Sequence, residues 1–235
     1  MKKLKSIAAL FFVSFKIFAQ TPDDVFNKYY EATGGKELWD EIKTYTIKQS
    51  YKANAATDFD QEISVSLDEQ AISKVKTLMK KDFIYVAKGQ EGWLKIPMGS
   101  RDKATKFDIK DLSERERNSL ILELRESVIP FWDYAKRGYR VRIIGSEGKN
   151  IQVELANTNQ KYDLFFNTDT GLLTKQVLTE GREITTIEHQ KYTKSSLGIS
   201  YASESTSVNN IDRRNNRVTT SILFNDKLDS ALFVK

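Results

Sequence analysis

The stretch that decides the fold is YDLFFNTDTGLLTKQ, residues 162–176. Apolar side chains recur at every second position from Tyr162 to Phe166, which is the pattern of a β-strand with one apolar face. The turn sequence TDTG follows, in which Gly171 can adopt a positive φ, and the chain then runs back. We therefore predict a hairpin. Phe165 lies on the opposite face, which leaves two interpretations open: an ordinary one-sided sheet, or a sheet that holds an apolar ligand.

The same period of two recurs on both sides of this hairpin, with short polar turns between the segments. Such alternation is typical of an antiparallel meander with one apolar face. We expect a mainly β (α+β) fold in which the sheet curves and helices cover its concave apolar face. The predicted strands are residues 45–52, 62–67, 71–79, 82–88, 92–97, 139–144, 150–155, 162–166, 172–178, 183–192, 199–205 and 217–224.

Helical patterns fall in two places, residues 22–42 and residues 111–137. The first region begins at a Thr-Pro-Asp-Asp start signal and contains two short helices separated by Gly34-Gly35. In the second region Ser113 and Glu116 form a capping box, and an apolar stripe follows it. Proline at position 130 should end this helix, and we expect another helix from Phe131 to Lys136.

The first nineteen residues have the features of a secretory signal peptide. Three lysines lie within the first five residues, the apolar run Ile7–Phe15 follows, and Ala19 offers a cleavage site. A membrane anchor is the alternative, but a spanning helix needs about 20 apolar residues. We therefore expect residues 1–19 to be removed and residues 20–235 to form a single exported domain that is soluble in the periplasm.

Composition excludes several classes of protein. Hydrophobic residues make up 40% and charged residues 29% of the chain, which indicates a folded rather than a disordered protein. Without the four lysines of residues 1–19, the chain has 33 basic and 32 acidic residues, a net charge of +1. A nucleic-acid-binding protein should keep a basic surface, so we expect no nucleic-acid partner. The chain has no cysteine, so disulfides and a lipid attached to cysteine are excluded.

Residues suited to catalysis are scarce. His189 is the one histidine of the chain and lies in a predicted strand on the same face as Ile187, where a surface or sheet-edge position is expected. No G-x-S-x-G motif accompanies it, and a zinc site would need further His or Cys ligands. We expect no enzymatic activity, no cofactor and no metal, while a hydrolase built from distant acids stays an alternative.

Apolar residues on the strands and on the helices at 113–136 are the remaining candidates for function. Core packing is the simpler interpretation of each of them. A strongly curved sheet, however, encloses more concave apolar surface than side chains fill easily, and the helices can act as a plug or lid. The candidate cavity or lid residues for ligand binding are Phe83, Tyr85, Trp93, Leu120, Leu124, Phe131, Trp132, Leu164 and Phe166.

Four segments together resemble the outer-membrane lipoprotein-sorting protein family, whose members are LolA/LolB-like exported domains. They are DVFNKYYEATGGKELWDEIKTYTIK (24–48), GQEGWLKIP (89–97), GYRVRIIGSEGKNIQVEL (138–155) and the opening hairpin. The order of these patterns, more than any one of them, carries the resemblance. It covers most of the chain after residue 19 and implies an incomplete β-barrel whose hydrophobic concavity is covered by helices.

The resemblance also implies a function. We expect a monomeric periplasmic carrier that binds the acyl chains of lipids or lipoproteins in a hydrophobic cavity, as in outer-membrane lipoprotein sorting, with transient protein partners at the inner or outer membrane. No catalytic residue is needed for this role. The alternative hypothesis is a non-enzymatic periplasmic interaction module with a filled core.

Overall fold

The computed structural model describes residues 20–53, 57–99 and 106–235. The predicted signal peptide, residues 1–19, lies outside these ranges. Within them, no helix combines the length and the apolar character needed to cross a membrane.

One antiparallel sheet of thirteen strands dominates the described residues. Its spatial order is β6-β5-β4-β3-β2-β1-β13-β12-β11-β10-β9-β8-β7, so two hairpin meanders meet where β1 pairs with β13. The edge strands β6 and β7 do not pair with each other in the described part of the chain, which confirms the expected incomplete barrel. The strands are β1 Thr44–Lys52, β2 Phe59–Ser66, β3 Ala71–Leu78, β4 Lys81–Lys88, β5 Glu91–Met98, β6 Lys106–Asp111, β7 Arg140–Glu147, β8 Asn150–Ala156, β9 Gln160–Asn167, β10 Leu173–Glu180, β11 Glu183–Lys194, β12 Ser200–Asn209 and β13 Asn215–Phe224.

Strand β6 is the one strand that the sequence pattern missed. All six of its residues are exposed, so no buried face marks it as a strand. It forms because its backbone pairs with β5, from Met98↔Lys106 to Trp93↔Asp111. An edge strand of this kind is defined by its neighbour and not by its own alternation.

Within the described ranges, three α-helices pack on one face of the sheet: α1 Pro22–Ala32, α2 Lys36–Asp40 and α3 Glu114–Glu126. Both longer helices begin at complete capping boxes, in which the side chains of Thr21 and Ser113 each accept from a backbone N–H one turn later.

The helix predicted over residues 131–136 is wrong in extent and type. A short 3-10 helix occupies Tyr134–Arg137 instead. It cannot start earlier because Asp133 adopts a left-handed conformation, with φ of 51°, which interrupts helical geometry. Gly138, with φ of 75°, ends it.

The opening hairpin forms as predicted from β9 and β10. Gly171 has φ of 74°, and a Cβ at this position would lie 2.8 Å from the carbonyl oxygen of Lys28, so only glycine fits the turn. Leu164 packs in the main hydrophobic cluster, whereas Phe165 points to the other face. There the ammonium of Lys175 lies 3.9 Å from the centroid of its ring. The expected alternation of the two faces is therefore confirmed.

The two faces of the sheet carry two separate hydrophobic clusters. The inner face, on which the helices lie, includes Ile72 and Ala87, and it holds the main cluster. The adjacent residues Ala71 and Val86 point to the outer face and belong to a small outer cluster. Phe233, from the C-terminal 3-10 helix Ser230–Phe233, covers that outer cluster.

Candidate functional site

The inner face under α1 and α2 is filled by aromatic rings. Phe26 of α1 stacks on Phe131, with 4.5 Å between ring centroids and 8° between ring planes. Tyr29 and Phe166 meet the same Phe131 ring edge-on, at 5.1 and 5.4 Å. Trp39 of α2, fully buried, contacts Trp132 at 5.6 Å. We call these six residues the aromatic cluster, and their edge-to-face and stacked geometry is that of a tightly packed core.

The inner face under α3 is held differently. This helix lies over β3, β4 and β5 and buries two leucines, Leu120 and Leu124. Polar contacts hold its C-terminal half: the Tyr45 hydroxyl donates to the carbonyl of Leu124 at 2.8 Å, and Lys74 forms an ion pair with Glu123 at 2.7 Å. Ring contacts like those of the aromatic cluster do not occur between α3 and the described strands.

A groove of about 350 Å³ runs between α3 and the inner face of β2, β3 and β4. Ligand pockets generally have volumes of roughly 300–1,000 Å³, so this groove reaches the lower end of that range. Its walls combine apolar and charged side chains. We call it the α3 groove, and it is lined by Gln61, Lys74, Lys76, Tyr85, Leu112, Glu116, Ser119, Leu120 and Glu123.

A second, more enclosed space lies between the aromatic cluster and strands β1 and β10–β13. Its volume is about 90 Å³. Because an apolar cavity that admits one benzene measures about 150 Å³, this space is too small for a hydrocarbon chain. Its lining is also partly polar, with Gln49, His189, Ser205 and Thr220 beside Ile187 and Val218. We call it the central cavity, and its size and lining suit a few water molecules better than a lipid.

His189 faces the central cavity and not the surface or a sheet edge, which corrects the sequence-based expectation. Its strand, β11, lies inside the sheet between β10 and β12. The Nδ1 atom lies 3.0 Å from the hydroxyl of Ser205. Burial lowers the pKa of the imidazole to about 4, so the ring is neutral at pH 7.

A buried carboxylate fixes the C-terminal end of α3. Glu126 accepts hydrogen bonds from the hydroxyls of Tyr139 and Tyr162, at 2.6 and 3.0 Å, and from the amide of Gln160 at 2.7 Å. It also pairs with Arg137, and the two side chains are 7% and 11% exposed. Arg137 in turn donates to the carbonyls at positions 130 and 132. All acceptor positions of the carboxylate are therefore engaged in holding structure.

The structure distributes the nine candidate residues over several places and does not bring them to one site. Phe131, Trp132 and Phe166 belong to the aromatic cluster, and Leu164 packs in the same main hydrophobic cluster. Leu124 is buried under α3 in that cluster. Tyr85 and Leu120 line the α3 groove. Phe83 is partly buried and lies two residues before Tyr85 on the same face of β4.

Trp93 is the candidate whose predicted position is wrong. It is paired with Val86 across β4 and β5, so both side chains point to the outer face. There Trp93 packs with Phe233 and is 3% exposed. Residues Trp93 and Leu94 give both faces of β5 an apolar side chain, so alternation alone could not assign the inner one. Trp93 is therefore removed from the candidate site.

Two inward-facing lysines were missed by the sequence analysis. Lys74 is paired with Tyr85 and Lys76 with Phe83 across β3 and β4, which places both ammonium groups on the inner face. The alternation of β3 contains the signal, because Lys74 and Lys76 share a face with Ile72. Lysine is among the residue types that are least often buried, so two inward-facing lysines are unusual on a packed sheet face.

The acidic residues of the described ranges bear on the hydrolase alternative. There, no three His, Asp or Glu side chains are placed to hold a metal ion. Of the described carboxylates whose pKa departs from its ordinary value, Glu180 is the one whose pKa is raised, through desolvation and the neighbouring Glu183. The hydrolase alternative would need a second perturbed carboxylate in the same cleft as Glu180, and it stays a hypothesis.

Comparison with known proteins gives structural likeness only. No protein-family model and no curated protein match the sequence. The chain is similar in structure to an outer membrane lipoprotein-sorting protein domain from Vibrio parahaemolyticus, with a TM-score of 0.43 and 12% identity over 84% of this chain and 93% of that chain. It also matches the MucA/MucB complex of Pseudomonas aeruginosa, with a TM-score of 0.25 and 11% identity, and MucB in complex with MucA(peri), with a TM-score of 0.24 and 12% identity. Each of these two matches covers 86% of this chain and 93% of the other chain. The first match carries the name of the family that the sequence resembles, and all three TM-scores are below 0.5.

Proposed function

We propose that this chain is a periplasmic carrier, exported by its signal peptide, that binds the acyl chain of a lipid or lipoprotein on the inner face of its sheet without catalysing a reaction. The observation that carries the proposal is the α3 groove. It has the volume of a small ligand site, and its walls include the apolar side chains of Tyr85, Leu112 and Leu120.

The chemistry of an acyl chain fits this groove in energy as well as in size. Each CH₂ group removed from water contributes about 0.8 kcal/mol, so even a partly enclosed chain of several carbons is retained. The groove ends where Gln61 donates to Gln49 at 3.1 Å, and Gln49 belongs to the central cavity. In this proposal a longer chain would require this hydrogen bond to open and α3 to move outward, so that groove and cavity join.

Helix α3 is suited to such a movement. Its C-terminal end is fixed by the Glu126 network, whereas the rest of the helix is held by the buried side chains of Leu120 and Leu124, by partly buried Ile121 and by a few polar pairs. In this proposal Glu126 is the fixed end and the pair Lys74–Glu123 is a latch that closes the helix over the groove.

The second candidate is a periplasmic module that binds another protein through its surface, with its interior filled. The dense aromatic cluster and the small central cavity favour it, because together they leave little free volume on the α1 side of the inner face. This module would differ from the carrier in one testable respect. Its α3 groove would bind no ligand, so a side chain that fills the groove would leave the function of the protein unchanged.

Titration of residues 20–235 with a fluorescent long-chain fatty acid tests the proposal. Ser119 lines the groove and is exposed, so Ser119→Trp should fill the groove without disturbing the core. We expect this variant to lose at least tenfold in affinity, since the apolar contacts of only two CH₂ groups already account for a factor of that size.

Asn118→Trp is the matched control, because it places the same side chain on an exposed neighbouring position of α3 outside the groove lining. It should bind as the unmodified chain does. Equal binding by both variants, or no binding by the unmodified chain, would contradict the carrier and favour the interaction module.

A further inference from the structure

The α3 groove contains a cation that has no anionic partner in the described part of the chain. The ammonium of Lys76 lies 4.3 Å from the ring centroid of Phe59 on the inner face. The other charged residues of the groove are engaged: Lys74 pairs with Glu123, and the Glu116 carboxylate accepts from the backbone N–H of Ser113 at 2.9 Å in the capping box.

The surroundings of Lys76 are apolar on one side and cationic on the other. Phe59 and Phe83 flank it on neighbouring strands, and both are partly buried. Lys74 and Arg214 lie close enough to lower the pKa of Lys76 further, in addition to the larger effect of its burial. A partly desolvated ammonium of this kind is stabilised by any anion that can approach it.

A ligand that fits both the ammonium of Lys76 and the apolar walls of the groove has an anionic group joined to a hydrocarbon chain. We propose that the α3 groove recognises a single-chain anionic amphiphile, whose carboxylate or phosphate pairs with Lys76 and whose chain lies along Tyr85 and Leu120. This inference rests on the proposed carrier function and names the chemical class of its ligand. Lys74 becomes a second cation for the same anionic group if its pair with Glu123 opens.

Isothermal titration with decanoate and with decan-1-ol, which share a chain and differ in charge, tests the inference at pH 7.5. We expect the chain to bind decanoate about tenfold more tightly, as a hydrogen bond to a charged group is worth that factor or more. Lys76→Met keeps the apolar stem of the side chain and removes the charge, so it should abolish this preference.

Lys48→Met is the matched control. It removes one positive charge from β1, two strands away from β3 in the sheet, where Lys48 points to the outer face and pairs with Glu62 at 3.2 Å. This variant should keep the full preference for decanoate.

Three other outcomes would overturn the inference, each in a distinguishable way. Equal binding of decanoate and decan-1-ol, unchanged in Lys76→Met, would leave the carrier intact and remove the anion site. Binding of neither compound would remove the carrier itself. Inorganic phosphate that binds as tightly as decanoate, with the same loss in Lys76→Met, would show an anion site without a chain site.

Discussion

The two halves of the inner face differ in how their helices are held. Under α1 and α2, buried rings contact each other at 4.5 to 5.6 Å, and the central cavity beside them measures about 90 Å³. Under α3, two leucines and several polar pairs leave a groove of about 350 Å³. In the proposed carrier, the first half would be a permanent core, and α3 would be a movable cover over the ligand site in the second half.

The largest effect should come from breaking the permanent core. Phe131 is 1% exposed and contacts three rings of the aromatic cluster. Phe131→Ala should lower the free energy of unfolding by about 3–5 kcal/mol, because it leaves a cavity among rings that cannot close up. Urea denaturation measures this effect. Phe107→Ala on the exposed strand β6 is the control and should change the free energy of unfolding by less than about 0.5 kcal/mol.

The next effect should come from the fixed end of α3. Glu126→Gln removes the charge that compensates buried Arg137, so the free energy of unfolding should fall by about 3 kcal/mol. Glu123→Gln, one turn earlier on the same helix, breaks a more exposed pair and should cost less than about 1 kcal/mol. Similar losses of unfolding free energy in the two variants would contradict the distinction between the fixed end and the latch.

The pH dependence of the unfolding free energy should report on His189, which lines the central cavity and not the α3 groove. The pKa of His189 is about 4 in the folded chain and 6.5 as the ordinary value. As the pH falls below 6.5 the unfolded chain takes up a proton that the folded chain does not, so stability is lost until the pH reaches about 4. Between pH 7 and pH 5 the loss should be about 2 kcal/mol.

The variant His189→Gln isolates this effect, because it removes the titrating ring and leaves the other groups in place. Glu126, the carboxylate that also lines the central cavity, is present in both proteins. The difference in unfolding free energy between the two proteins should change over this pH interval. A difference that is constant with pH would mean that His189 titrates normally and is solvated.

Loss of the pair Lys74–Glu123 should have the smallest effect on stability and the clearest effect on the motion of α3. Lys74→Met opens the latch and should cost less than about 1 kcal/mol, since the pair is partly exposed. Amide hydrogen exchange in α3 should become faster, while exchange in α1 stays at the rate set by global unfolding. Unchanged exchange in α3 would show that the pair does not hold the helix.

The sequence predicted the fold better than the site, and single residues show why. Alternation from Tyr162 to Phe166 fixes which side chains share a face, because successive side chains on a strand point in opposite directions. It does not say which face is inner: Trp93 lies under Phe233, and neither the C-terminal segment nor its contact has a local signal in β5. Strand β6 was missed for the opposite reason, since it has no buried face at all.

The charged part of the candidate site was predictable in principle. Lys74 and Lys76 share the alternation of Ile72, so their inward orientation follows from the strand pattern alone. The network of Glu126 was not predictable, because Arg137, Tyr139 and Tyr162 reach it from separate elements. Interactions that depend on tertiary position have no periodicity in the sequence.

Native mass spectrometry of residues 20–235, with organic extraction of the same sample, tests the central claim most directly. The account predicts co-purifying acyl lipid, or uptake of one added fatty acid per chain that the Ser119→Trp variant fails to show. A mass equal to that of the chain alone, with no uptake of added fatty acid by the unmodified chain, would contradict it.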